Sequence, residues 1–152
     1  MSEVVSLLFV VGLAALVVYW RWREAAVVLP EAPDRSWLRR PAPGEIWWAD
    51  VPFDDSWDSK VRPCLVIRTH RKSVEVLKIT SQDKSHRWDH IEIETGSWDR
   101  RARYNSYLDL SSPRKLLDQD FKRRAGTCDE WTWNQVLNKY DAGWVVKRRE
   151  AA

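Results

Sequence analysis

Only two cysteines, Cys64 and Cys128, occur in 152 residues. Neither belongs to a Cys-x-x-Cys pair, so a disulfide framework and a cysteine zinc site are both excluded, and a reducing compartment is the simpler inference. The three histidines are equally sparse. His86 and His90 stand four apart, but no third or fourth ligand is spaced near them, so neither a metal nor a cofactor is expected; His70, at a strand end, is expected at the surface. Internal repeats and low-complexity segments are missing, which excludes solenoids and disordered arrays. Charge is not far out of balance either. With 25 Lys and Arg against 22 Asp and Glu, the net charge of +3 permits contact with RNA phosphate or anionic lipid without requiring it.

What the chain does have is tryptophan, 11 residues of it, in a sequence that is 44% hydrophobic. Its length allows one domain and an appendage. Most of the indoles are expected to fill a small core, with Trp20, Trp22 and Trp57 reserved for a membrane interface or a binding surface. Val4 to Trp20 contains no charged residue. As a helix it would extend about 25 Å, so residues 1–23 are expected to form a single transmembrane anchor; a buried core helix is the alternative. Arg21, Arg23, Arg35, Arg39 and Arg40 all follow the apolar run, which puts the C-terminal domain in the cytoplasm. Residues 24–43 carry Pro30, Pro33, Pro41 and Pro43 and are expected to form a semi-extended linker, the alternative being an arm packed through Trp37 and Leu38.

A mainly β domain with a C-terminal helix is predicted over 44–143, followed by a basic tail over 144–152. Short segments rich in aromatic and β-branched residues predict strands near 45–51, 62–69, 73–80, 88–93 and 104–110, with Arg71-Lys72-Ser73 as a tight turn. Val74 to Ile79 has apolar atoms on both sides and is expected to be central. A short helical turn is expected around Asp118 to Arg124. Thr127-Cys128-Asp129-Glu130 matches a capping box with Thr127 at the cap, and Trp133, Val136, Leu137 and Tyr140 follow at helical spacing.

The chemistry concentrates between the first two strands. Arg62 offers a rigid fork that matches phosphate oxygens, unless it is paired with Asp50 or Asp58. Thr80, with Ser81 beside it, presents a hydroxyl at a strand end, where it can donate to a phosphate. His90 is a candidate general acid or base, since an imidazole side chain suits proton transfer near neutral pH. Lys78, Lys84, Arg87, Arg101, Arg103 and Arg114 are candidate phosphate contacts, and Trp57 or Trp88 can stack on an unpaired base.

Pro43-Gly44-Glu45-Ile46-Trp47-Trp48-Ala49-Asp50, then Arg62-Pro63-Cys64-Leu65-Val66-Ile67, then Lys78-Ile79-Thr80-Ser81-Gln82 form an ordered set of motifs. Together they resemble the PemK/MazF family of toxin–antitoxin endoribonucleases over roughly 43–140. The resemblance implies an SH3-like small β-barrel, metal-independent cleavage of single-stranded RNA by 2′-hydroxyl attack, a homodimer, and a protein antitoxin as partner. It implies that Arg62 is the catalytic arginine and that Thr80 belongs to the active site. The family's Glu-Gln pair before Arg-Pro is missing, leaving Asp58 as the nearest carboxylate and Asp109 as a second acid. Ser81, Lys60, Trp57, Lys78, His90 and Arg114 complete the expected substrate contacts. The departure at the acid keeps a rival open: a catalytically weak or inactive binding module tethered to the membrane. A membrane-bound DNA-binding regulator is a third reading.

Overall fold

The computed structural model describes residues 30–53 and 58–146. Among the described residues, eight strands and one α-helix follow in order: β1 (Glu45–Pro52), β2 (Ser59–His70), β3 (Val74–Thr80), β4 (His90–Ile93), β5 (Ser106–Asp109), β6 (Arg114–Leu116), β7 (Phe121–Thr127), α1 (Glu130–Leu137) and β8 (Gly143–Val145). A 3-10 turn, Asp118–Asp120, precedes β7. The sheet runs β4-β5-β3-β2-β1-β7, with β6 also on β3 and β8 on β2. All pairings are antiparallel except β2 with β8.

Alternation along β1 to β3 builds two cores, one on each face of the sheet. Ile46, Leu65, Ile67, Leu77 and Ile79 point to one face and pack with Trp98, Leu108, Trp133 and Val136. Ala49, Val51, Cys64, Val66, Val74 and Val76 point to the other and pack with Leu116. This two-sided burial is why β2 and β3 read as nearly continuous apolar runs.

The closed barrel expected from the sequence is corrected. The strand path is open, with β4 and β7 as its two ends. Closure would need a strand bridging those edges, yet the last strand lies elsewhere: β8 pairs with Arg68 to His70 at the far end of β2, beyond the reach of β1.

The expected single-pass localisation with a cytoplasmic domain is also corrected. Among the described residues no helix is long and apolar enough to cross a membrane, and residues 4–20, on which the anchor rested, lie outside the described residues, as do Trp20 and Trp22. Residues 30–43, expected as a linker, pack against the domain. Trp37 is buried with its ring edge-on to Trp144 at 5.5 Å. Arg40 grips both carboxylate oxygens of Asp118 at 2.7 Å, and the buried hydroxyl of Thr69 donates to Pro41 O at 2.6 Å. Leu38 remains exposed. Gly44, with φ of 89°, turns the arm into β1, a conformation that favours glycine.

The helix cap moves by two residues from its expected place. Thr127 is engaged in β7 opposite Glu45, so Asp129 caps α1, its carboxylate accepting from Thr132 N at 2.9 Å and Thr132 Oγ1 at 2.7 Å. Three strands went unpredicted. β6 and β8 have three residues each, and β7 (FKRRAGT) carries consecutive charges where a helical turn was expected.

On β7, Gly126 lies against the loop that follows β4. A Cβ built there would stand 2.9 Å from Trp98 Cβ, an atom held close to the backbone. Gly126→Ala is therefore expected to destabilise the fold by about 1–3 kcal/mol through overpacking, read as a lower urea midpoint with an unchanged m-value.

Candidate active site

Register brings the candidate arginine and threonine together. β2 and β3 pair as far as Cys64 opposite Lys78, and that register continued past the end of the ladder would set Arg62 opposite Thr80. On the other side of β3, Thr80 faces Tyr107 and Ile79 faces Leu108. Directly opposed antiparallel residues hold their Cβ atoms about 4.5–5.5 Å apart, so the guanidinium stem and the hydroxyl start from neighbouring points on one face.

Both residues line a groove of ≈ 630 Å³ at the strand ends, together with Lys60, Ser81, Arg101 and Arg103. Among the described residues, four cations thus share its walls with one carboxylate, Asp99. The Arg62 guanidinium lies over the Phe53 ring, 5.3 Å from its centroid. Its Nε is buried and has no hydrogen-bond partner among the described residues. Neither Asp50 nor Asp58 forms an ion pair with it there. Trp48, also in the groove wall, holds a second buried donor, its indole Nε1, with no partner among the described residues.

The remaining predicted residues lie elsewhere. Asp58 is exposed just before β2, where Oδ1 accepts from Ser59 N at 2.9 Å, and it does not line the groove. Trp57 lies outside the described residues. Lys78, Asp109 and His90 form the next row on the face that carries Thr80, about 7 Å along at two residues of strand rise. Lys78 Nζ is 3.7 Å from Asp109 Oδ2. Ser111 donates to Asp109 Oδ1 from N at 2.9 Å and from Oγ at 2.5 Å. His90 Nδ1 is 2.7 Å from Asp89 Oδ1. Arg114 pairs opposite Val76, further still from Thr80, and Trp88 is highly exposed beside Lys139. Among the described residues no three His, Cys, Asp or Glu side chains group as metal ligands. The Cys64 thiol, next to this row, is pushed up to about 12 by burial, against the pull of Arg62 and Lys78, and is not a nucleophile.

Sequence reasoning missed Asp99, Trp48 and Tyr104. Asp99 and Tyr104 belong to the loop between β4 and β5, where no periodicity marks a residue as facing a site. Trp48 looked like one more core indole.

The row beside the groove sets an acid limit. Hydrogen bonds from Arg87, at 2.8 and 2.5 Å, and from His90 hold the Asp89 carboxyl well below the usual carboxylate range. Burial pushes Asp109 upward, but the Ser111 hydrogen bonds and the His90 and Lys78 charges outweigh it, and its pKa also ends below the ordinary value. Folded-state pKa values beneath the unfolded ones stabilise the protein above the unfolded value of about 3.9 and are lost as pH falls through the folded values. The denaturation midpoint is thus expected to drop on acidification below about pH 4. Asp89→Asn should be less stable than the parent at pH 7, and that gap should narrow steadily as pH falls below about 4.

The fold has parallels among known proteins. The family model described as PemK-like, MazF-like toxin of type II toxin–antitoxin systems matches residues 42–141. The chain belongs to this toxin family. The PemK/MazF match spans the arm's end, β1 to β7 and α1, and it includes every residue of the groove while leaving β8 and residues 4–20 outside. Among solved structures, an endoribonuclease in complex with its cognate antitoxin from a mycobacterial species has the same fold at TM-score 0.51 and 13% identity, covering 65% of this chain and 88% of that one. No curated protein matches.

Proposed function

We propose that this PemK/MazF-family domain cleaves single-stranded RNA without a metal, by attack of a 2′-hydroxyl on the adjacent phosphodiester. The observation that carries the reading is the meeting of Arg62 and Thr80, from neighbouring strands, in one open groove where no carboxylate among the described residues neutralises the arginine. In the reaction the 2′-oxygen forms a bond to phosphorus, the 5′-oxygen leaves with a proton, and the products are a 2′,3′-cyclic phosphate and a 5′-hydroxyl. Arg62 stabilises the charge that builds on the phosphoryl oxygens, and Thr80 donates to one of them to hold the strand in line. Asp99 is the carboxylate on the groove wall, which supports assigning it the 2′-hydroxyl proton in preference to Asp58 or Asp109, both outside the lining. Lys60, Ser81, Arg101 and Arg103 hold flanking phosphates.

A protein antitoxin that covers the groove, and a homodimer, follow from the family. The mycobacterial neighbour, solved with its cognate antitoxin, supports the first. A catalytically silent binding domain remains the second reading, favoured by the distance of Asp58 and Asp109 from the groove.

The test is incubation of the protein with single-stranded RNA in EDTA, with product ends analysed. Cyclic phosphate ends, blocked by a 2′-deoxy sugar at the cut site, are expected. Binding without product would leave the silent reading; cleavage abolished by EDTA would overturn the metal-free mechanism.

A further inference from the structure

The groove does not end at its cationic wall. A second cavity of ≈ 730 Å³ adjoins it, and the two share Ser81, Ala102, Arg103 and Tyr104. Charge reverses across that boundary. On the Arg62 side stand Lys60, Arg62 and Arg101, with Arg103 at the boundary; on the other stand Asp83, Glu92 and Glu94. A phosphate track therefore cannot continue, because each further phosphate would face carboxylates instead of cations. What lies at the turning point is an aromatic ring. Tyr104 is 85% exposed, and its hydroxyl meets no hydrogen-bond partner among the described residues.

An exposed aromatic side chain alone signifies little. Trp88 is more exposed, at 90%, yet it lines neither cavity and sits over a lysine. Tyr104 differs by location: it is the one aromatic residue common to both linings, between Arg103 and Asn105 on the β4–β5 loop. An unpaired base needs a flat apolar surface of this size next to cations that hold its phosphates, and base–aromatic stacking tolerates any base because each has a π-face.

We infer that Tyr104 is a base-stacking platform that takes one unpaired base of the bound strand at the point where the cationic track stops. This rests on the RNA-cleaving reading of the groove and deepens it: the substrate must be single-stranded at that nucleotide, since a paired base cannot turn onto the ring.

Fluorescence anisotropy with the full chain and a short single-stranded RNA, made non-cleavable by 2′-deoxy sugars, tests the idea without relying on turnover. Tyr104→Ala is expected to weaken binding by roughly 5- to 150-fold, the fold-change equivalent to about 1–3 kcal/mol of stacking. Tyr104→Phe, which keeps the ring and drops the hydroxyl, should stay within about twofold of the parent on the same scale. Abasic substitution scanned along the RNA should find one position that costs the parent as much as Tyr104→Ala does and costs that variant nothing more. On cleavable RNA, Tyr104→Ala should raise KM and spare kcat.

A parent that binds and cleaves while Tyr104→Ala does both equally well would overturn the platform and leave the nuclease reading intact. Abasic losses that are the same in parent and variant would also overturn it. A parent that neither binds nor cleaves single-stranded RNA would remove both.

Discussion

Arg62→Ala is expected to lower RNA cleavage by about 10²–10³-fold, the usual cost of removing one donor aimed at developing negative charge. The same substitution should leave the fold at least as stable as before, because the guanidinium holds a buried Nε with no partner among the described residues, and an orphaned buried donor is a cost that truncation removes. This pairing of a large loss in rate with no loss in stability distinguishes a group kept for a ligand from one kept for the core. Arg62→Lys restores the charge without the two-pronged donor geometry and should recover only part of the rate. The measurements are single-turnover cleavage and a urea midpoint on the same preparations. Wild-type cleavage by Arg62→Ala would sink the assignment, and a large drop in its midpoint would reassign the residue to the core.

Trp133→Ala is expected to cost about 3–5 kcal/mol, the largest effect on stability of any substitution considered, through the cavity it leaves. α1 has eight residues, too few to be helical by propensity, so its stability comes from packing. Trp133 and Val136 are the buried hydrophobic side chains it inserts between the sheet and the β4–β5 region, among Ile46, Leu65 and Trp98. Losing the indole should therefore release the helix as well as hollow the core, visible as a fall in both the urea midpoint and the helical circular dichroism signal. Leu137→Ala, on the exposed side of the same helix, should cost far less. Equal effects at the two positions would show that α1 does not hold the core as described.

Much of the sheet was legible because its first three strands encode their own burial. Alternation along 45–52 and 74–80 separates two apolar faces. The family motifs marked Arg62 and Thr80; their place across β2 and β3 also depends on a bulge between Val66 and Arg68, which shifts the pairing by one residue between the turn and the site. Asp109 lies on the same face as Thr80, but one row away, bound to Lys78 and Ser111. A one-row displacement leaves no trace in a linear pattern.

The chain's own order of residues determined the first five strands, the helix, and the family motifs with the arginine and threonine at their heart, because each depends on neighbours within a few positions. Tertiary structure alone decided that the sheet stays open, that the proline-rich arm packs through Trp37, that Asp99 and Tyr104 join Arg62 at one groove, and that Asp58 and Asp109 do not. Those outcomes hinge on where loops and strand ends meet across tens of residues. That depends on how two cores pack on opposite faces of one twisted sheet, and no local pattern of side chains carries it.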